Sequence, residues 1–185
     1  MIINKCRIDI SDSIFITNYD KGGGGIDMLK VIEILRDSAS IVHDIQKRSF
    51  KSLLEKYQDY DMSPALETLD RIIEKIDRTN TKSYIFQLDE INVGWVRIIE
   101  LEEMTYKVAA LCVLPEYQNK GIAQKVLKEI ESYYPNARKW ILDTILEEKG
   151  NCYLYEKLGY VKIGEVISVN ERMTLVNYVK ELDKI

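Results

Sequence analysis

Residues 105–127, TYKVAALCVLPEYQNKGIAQKVL, constrain the chain more than any other stretch. The first ten are apolar almost without interruption, the pattern of a strand covered on both faces in the middle of a sheet. Pro115 closes that strand, and an amide-rich turn with a single glycine, Gly121, opens at once into a helix. There Ile122, Ala123, Val126, Leu127, Ile130 and Tyr134 share one face, while Lys125, Lys128, Glu129 and Glu131 lie largely elsewhere. A buried strand followed by an amphipathic helix belongs to a layered α/β architecture.

The rest of the chain from Leu29 fits that plan. LKVIEIL reads as a first strand, followed by capping residues in DSAS and a helix from about Ser40 to Tyr57 with Ile41, Ile45, Leu53, Leu54 and Tyr57 on its apolar side. Ser63 and Pro64 read as the N-cap and first residue of a second helix, whose Leu66, Leu69, Ile72, Ile73 and Ile76 recur at helical spacing. SYIFQLD and INVGWVRIIE form a hairpin through Asp89 and Glu90. After the central strand and helix come a strand KWILDTIL, a short helix around CYLYEKLG, and two last strands, YVKIGEVISV and MTLVNYVKEL. The expected order is βααβββαβαββ, an α/β sandwich with a mixed central β-sheet flanked by helices.

At 185 residues the chain suits one domain with a sizeable core. A net charge of −4 gives no overall electrostatic reason to expect nucleic acid. No apolar run is long enough to span a bilayer, and no signal peptide is recognisable, so the expected location is cytoplasmic, with no membrane partner. Cys6, Cys112 and Cys152 are odd in number and widely spaced, which suggests reduced, packed thiols and no metal site.

The turn before the central helix has two readings on its own residues. A helix N-terminus offers backbone N–H groups without intrahelical partners and a dipole that favours an anion. Gly121 and the small Ala123 leave those amides approachable by a diphosphate, with Lys120 adding positive charge nearby. The alternative is a strand-to-helix connection with a convenient glycine.

The wider pattern resembles the GNAT superfamily of N-acetyltransferases. An apolar strand and proline precede Gln118, Gly121 and Ala123, which match the central motif of that family; Tyr155, Leu158, Gly159 and Tyr160 match its later one. The resemblance implies a GNAT-like sandwich over residues 28–185, with acetyl-coenzyme A as cosubstrate. It also implies that Leu111, Cys112 and Val113 pair with the pantetheine arm, that Gln118 belongs to the coenzyme site, that the amides of Asn119, Lys120, Gly121, Ile122, Ala123 and Gln124 hold the pyrophosphate, and that Tyr155 protonates the departing thiolate. The acceptor it implies is a primary amine on a small molecule, polyamine or peptide N-terminus, selected by the first two helices, their linker and the last two strands. The rival reading is a noncatalytic coenzyme-binding or dimerising protein on the same scaffold. In its favour, Glu148 stands where the family often has asparagine; Asn151 lies only four residues before Tyr155.

No general base is identifiable. Glu100, Glu102 and Glu103 suit either an acceptor site or an exposed acidic loop. Asp143, inside an apolar strand, is either an acceptor-site carboxylate or a paired structural one. His43, Trp95 and Trp140 read as structural, whereas Tyr57 and Tyr60 flank the loop that borders the acceptor in the family. The exposed last strands suit a homodimer. Residues 1–27 are expected to be an N-terminal extension, read as translated leader before a domain starting at Met28; a flexible arm whose IDISDSIFITNY adds a strand is the competing view. Its glycine run lacks the lysine and Ser/Thr of a phosphate loop and reads as a flexible joint.

Overall fold

The computed structural model describes residues 14–20 and 26–182. Eight strands form one mixed sheet in the order β1-β2-β3-β4-β5-β6-β8-β7. They are β1 (Ile14–Asp20), β2 (Ile26–Ile34), β3 (Thr81–Leu88), β4 (Ile91–Glu100), β5 (Thr105–Val113), β6 (Lys139–Ile145), β7 (Val161–Asn170) and β8 (Met173–Glu181). The helices are α1 (Ala39–Tyr57), α2 (Leu69–Ile76), α3 (Ile122–Ser132) and α4 (Lys149–Lys157). From β2 onward this is the order expected from the sequence. Ahead of it, Ile14–Asp20 pairs antiparallel with β2 over seven positions as an edge strand. The glycine run and Cys6 lie outside the described residues.

Among the described strands only β5 and β6 pair in parallel; the other neighbours are antiparallel. Asp89 and Glu90 both adopt left-handed φ, +49° and +66°, which is the geometry of a two-residue hairpin turn between β3 and β4. Gly94 is required for packing: a Cβ there would come within 2.0 Å of the Phe86 ring and 2.4 Å of the Cys112 carbonyl.

The sheet separates two cores. On one side Ile122, Val126, Leu127 and Ile130 of α3 are buried against Val96, Ile98 and Trp140, each side chain adding about 1.5–3 kcal/mol by leaving water. On the other, α1 and α2 pack Val42, Ile45 and Ile72 onto Trp95 and Cys112. Arg97 lies buried in β4, cross-strand from the buried Ser83, and its Nε and one terminal nitrogen have no hydrogen-bond acceptor among the described residues.

The second helix starts later than its sequence suggests. Ser63 caps only a single 3₁₀ turn, accepting from the Ala65 N–H, and Glu67 is extended. Thr68 is the true cap of α2, accepting from Arg71 N–H at 3.3 Å. The reason is tertiary: Gln46 of α1 donates to the Pro64 carbonyl and the Glu67 carboxylate, and His43 bonds the Glu67 carbonyl. These bonds hold the linker extended across α1. Ile41 is also exposed, the buried stripe of α1 running through Val42, Ile45, Gln46 and Ser49.

Candidate active site

The site begins with a fault in the sheet. Arg97 pairs with Ala110 and Ile98 with Val108, so Ala109 is an extra residue, a β-bulge in β5. Pairing between β5 and β6 stops at the same place, its last partners being Val108 and Leu142. Beyond it the two parallel strands part, and the outer edge of residues 109–113 has no described strand beside it. Leu114 N–H donates to the Val93 carbonyl at 2.8 Å. Strand alternation therefore directs the N–H and C=O of Leu111, and the N–H of Val113, toward the opening.

That edge borders a cleft of about 530 Å³. Its floor is residues 111–113; its far end is the turn after β5. Gln118 spans the turn, its side-chain amide donating to the Val113 carbonyl at 2.8 Å, so this glutamine fastens the turn to the strand. Asn119 and Gly121 follow with φ of +58° and +76°, and α3 begins with no side chain capping its N-terminus. A Cβ on Gly121 would meet nothing within 4 Å, leaving open space above the helix start. Uncapped amides, a missing Cβ and an open strand edge fit an extended ligand with an anionic group at the helix end. Of the ten residues expected to hold the coenzyme, nine line this cleft; Lys120 does not, its ammonium donating to the Glu116 carbonyl at 2.8 Å and sitting over the Tyr117 ring.

The opposite wall is α4, which brings Asn151 and Tyr155, one helical turn apart, to the cleft. Tyr155 is 7% exposed and packs against the Tyr160 and Tyr178 rings. Its hydroxyl has no hydrogen-bond partner among the described residues. Burial raises its pKa well above that of an ordinary phenol, and the Asp143 charge adds to the effect, so the group keeps its proton at any physiological pH.

A second recess of about 270 Å³ adjoins the first. Phe50, Leu53, Leu111, Asn151 and Tyr155 line both, so Tyr155 stands at their junction. Its other walls come from the end of α1, the linker after it, β5, β6 and the last two strands, and α2 contributes none. Three residues from two distant segments meet beside the cavities: the Tyr57 hydroxyl donates to Glu148 at 2.5 Å and Lys56 pairs with the same oxygen at 2.6 Å. Burial pushes the Glu148 carboxyl up, but the bonds from Lys56 and Tyr57 outweigh it and hold the group below its ordinary range.

Asp143 lines the recess and is paired with Lys107 at 2.5 Å, as a structural carboxylate would be. Glu100, Glu102 and Glu103 lie outside both cavities, and Tyr60 is exposed outside them. His43 is engaged by the Glu67 carbonyl, and Trp95 and Trp140 are core. Buried Cys112 has its thiol pushed up to about 12 by burial, an inert sulfur in the floor of the cleft. Sequence reasoning missed Ser49, Phe50 and Leu53 as cleft residues, because their spacing on α1 is that of ordinary packing; the excess of small and polar residues on that face, Gln46 and Ser49, was the available signal. Among the described residues no group of three or more His, Cys, Asp or Glu is arranged to hold a metal ion, and no helix is long and apolar enough to cross a membrane.

Residues 41–160 match the family model described as acetyltransferase (GNAT) family. Among solved structures, an acetyltransferase from Thermus thermophilus superposes with a TM-score of 0.67 at 14% identity, covering 83% of this chain and 97% of that one. A spermidine N-acetyltransferase from Vibrio cholerae, solved with CoA and spermine, gives 0.66 at 18% identity and covers 83% and 95%. The PaiA N-acetyltransferase from Thermoplasma acidophilum, solved with coenzyme A, gives 0.63 at 13% identity and covers 83% and 99%. No curated protein sequence matches the chain.

Proposed function

The chain belongs to the acetyltransferase (GNAT) family, and we propose that it moves the acetyl group of acetyl-coenzyme A to the nitrogen of a primary amine. The observation that carries this reading is the position of Tyr155, buried yet lining both cavities at the point where they meet. One cavity has the features of a coenzyme groove; the other is a separate chamber for a second substrate.

When bound, the coenzyme supplies an acetyl group activated as a thioester. The first-turn amides of α3, residues 122–124, hold its diphosphate, aided by the helix dipole. The open edge of Leu111 and Val113 offers two N–H groups and a carbonyl to the amides of the pantetheine arm, as a strand would. Asn151 and the adjoining recess orient the amine. As the neutral amine forms the new C–N bond and the C–S bond breaks, the Tyr155 hydroxyl gives its proton to the departing sulfur, the product nitrogen releases one to solvent, and the Tyr155 phenolate takes one back from solvent. A phenol whose pKa is raised remains available as a donor throughout.

Coenzyme binding without transfer is the second reading, and one observation favours it: Glu148, at the usual asparagine position, is engaged with Lys56 and Tyr57 instead of being free for a ligand. Release of free thiol from acetyl-coenzyme A, measured with a panel of primary amines and joined to mass detection of the acetylated product, separates the two. Amine-dependent release with a stoichiometric acetylated product supports transfer. Tight coenzyme binding with no amine-dependent release across the panel would reject it.

A further inference from the structure

The recess next to the coenzyme cleft has a charge pattern that selects among amines. Its described lining contains two carboxylates, Asp59 and Asp143, and no lysine, arginine or histidine. Both carboxylates are partly engaged: one Asp59 oxygen accepts from Met62 N–H at 3.0 Å, and Asp143 pairs with Lys107. The remaining walls are mainly apolar, with Leu54, Val169, Met173 and Leu175 among them. At about 270 Å³ the chamber falls just below the roughly 300–1,000 Å³ of clefts that take drug-sized ligands.

We propose that the acceptor is a monoamine carrying one compact apolar body, aliphatic or arylalkyl, and that Asp143 draws its ammonium end to the Tyr155 side of the recess. The inference rests on the acetyl-transfer reading above. Asp143 and Tyr155 line the same recess, on the β6 and α4 walls, so an ammonium held there is delivered to the junction of the two cavities, where it loses one proton to solvent before the neutral nitrogen attacks the thioester. An apolar body replaces water along Leu54, Met173 and Leu175 and gains by burial. A polyamine meets a different environment: one ammonium finds Asp143, but a further ammonium lies against apolar side chains such as Leu54, Met173 and Leu175, and the one other carboxylate of the described lining, Asp59, already accepts from Met62 N–H, so a charge held against those walls is disfavoured. Selectivity therefore comes as much from what the walls refuse as from what Asp143 attracts.

The test uses the full chain, n-hexylamine and 2-phenylethylamine as monoamines, spermidine as the polyamine, and two readouts. Steady-state thioester consumption should give the monoamines a kcat/KM about tenfold or more above spermidine. Asp143→Asn should raise the monoamine KM about tenfold while leaving the KM for acetyl-coenzyme A unchanged. Titration calorimetry of n-hexylamine into the coenzyme A complex should show binding that Asp143→Asn weakens. Leu54→Lys, on the partly exposed end of α1, should weaken it too, and serves if Asp143→Asn fails to fold. Equal or better turnover of spermidine, or an unchanged monoamine KM in Asp143→Asn, would overturn the inference and leave acetyl transfer standing. Hexylamine binding that both variants weaken, without acetylation of any amine, would do the reverse.

Discussion

The Tyr57 hydroxyl donates to the Glu148 carboxylate at 2.5 Å, joining the end of α1 to the start of α4 across 91 residues of sequence. With Lys56 on the same oxygen, this contact ties together two helices that both line the two cavities. Hydrogen bonds to a charged group contribute about 1.5–3 kcal/mol. Glu148→Gln retains an acceptor for Tyr57 but loses the ion pair with the solvent-exposed Lys56, so it should lower the melting temperature slightly at pH 7. Because the folded-state pKa of Glu148 is depressed, its contribution is complete above the ordinary carboxylate pKa and lost as the pH falls through the folded value. Melting temperatures of the two proteins should converge as the pH falls from 7 to below the ordinary carboxylate range; a gap that stays constant would contradict the assignment.

Gly121 has φ +76° and open space where a Cβ would stand. Gly121→Val should therefore lower the melting temperature of the free protein modestly, since a left-handed residue costs about 1–2 kcal/mol. Its larger effect should be on the ligand. Acetyl-coenzyme A at about 100 times its Kd stabilises by about 2.7 kcal/mol, or roughly 5–10 °C for a domain of this size, and the variant should lose most of that shift. An undiminished shift would place the diphosphate elsewhere.

Arg97 is 7% exposed, and burial, with Arg78 and Arg71 nearby, lowers its pKa to about 10. A buried guanidinium with orphaned N–H groups is a cost, and replacing buried charges with apolar groups of similar volume is often neutral or stabilising by about 1–4 kcal/mol. Arg97→Met should keep or raise the urea midpoint. A fall equivalent to more than about 1 kcal/mol would mean that the side chain contributes favourable contacts that outweigh its desolvation.

Four strands separate β1 from β6 at the far border of the site, and no cavity-lining residue precedes Ser49 among the described residues. We propose that the functional domain starts at Met28. A chain beginning there should bind acetyl-coenzyme A with the affinity of the full chain and melt within a few degrees of it. A large loss in either would make the Ile14–Asp20 strand necessary to the domain whose sheet it extends.

Local patterns carried much of the fold. Ile122, Val126, Leu127 and Ile130 announced α3 at helical spacing, and all four are buried. Two adjacent acidic residues between apolar runs marked the β3–β4 turn. What local pattern could not reveal depends on contacts between distant elements. Ser63-Pro64 is a sound helix start by itself, but His43 and Gln46 reach across from α1 to hold Glu67 extended and delay α2 to Leu69. The bulge at Ala109, which opens the sheet, leaves no mark in an apolar run that also suits an unbroken strand. Leu53 read as part of an ordinary apolar helix side because a helix face lining a cavity has the same periodicity as one packed on a sheet. The turn at Gln118–Gly121 was legible because its glycine and amides have a local role, whereas the Lys56–Tyr57–Glu148 cluster exists only once α1 and α4 meet.

The central claim is that Tyr155 supplies the proton for acetyl transfer at the junction of the two cavities. The most direct measurement is the steady-state rate of Tyr155→Phe, with an amine for which chemistry limits turnover in the parent enzyme. The substitution keeps the ring that packs on Tyr160 and Tyr178 and removes only the hydroxyl. General-acid assistance is worth about 10²- to 10⁴-fold, and water replaces part of it, so kcat should fall by roughly 10- to 1,000-fold. The KM for acetyl-coenzyme A should stay within about twofold, because the loss is confined to the transition state. A Tyr155→Phe enzyme with the parent kcat would contradict the account.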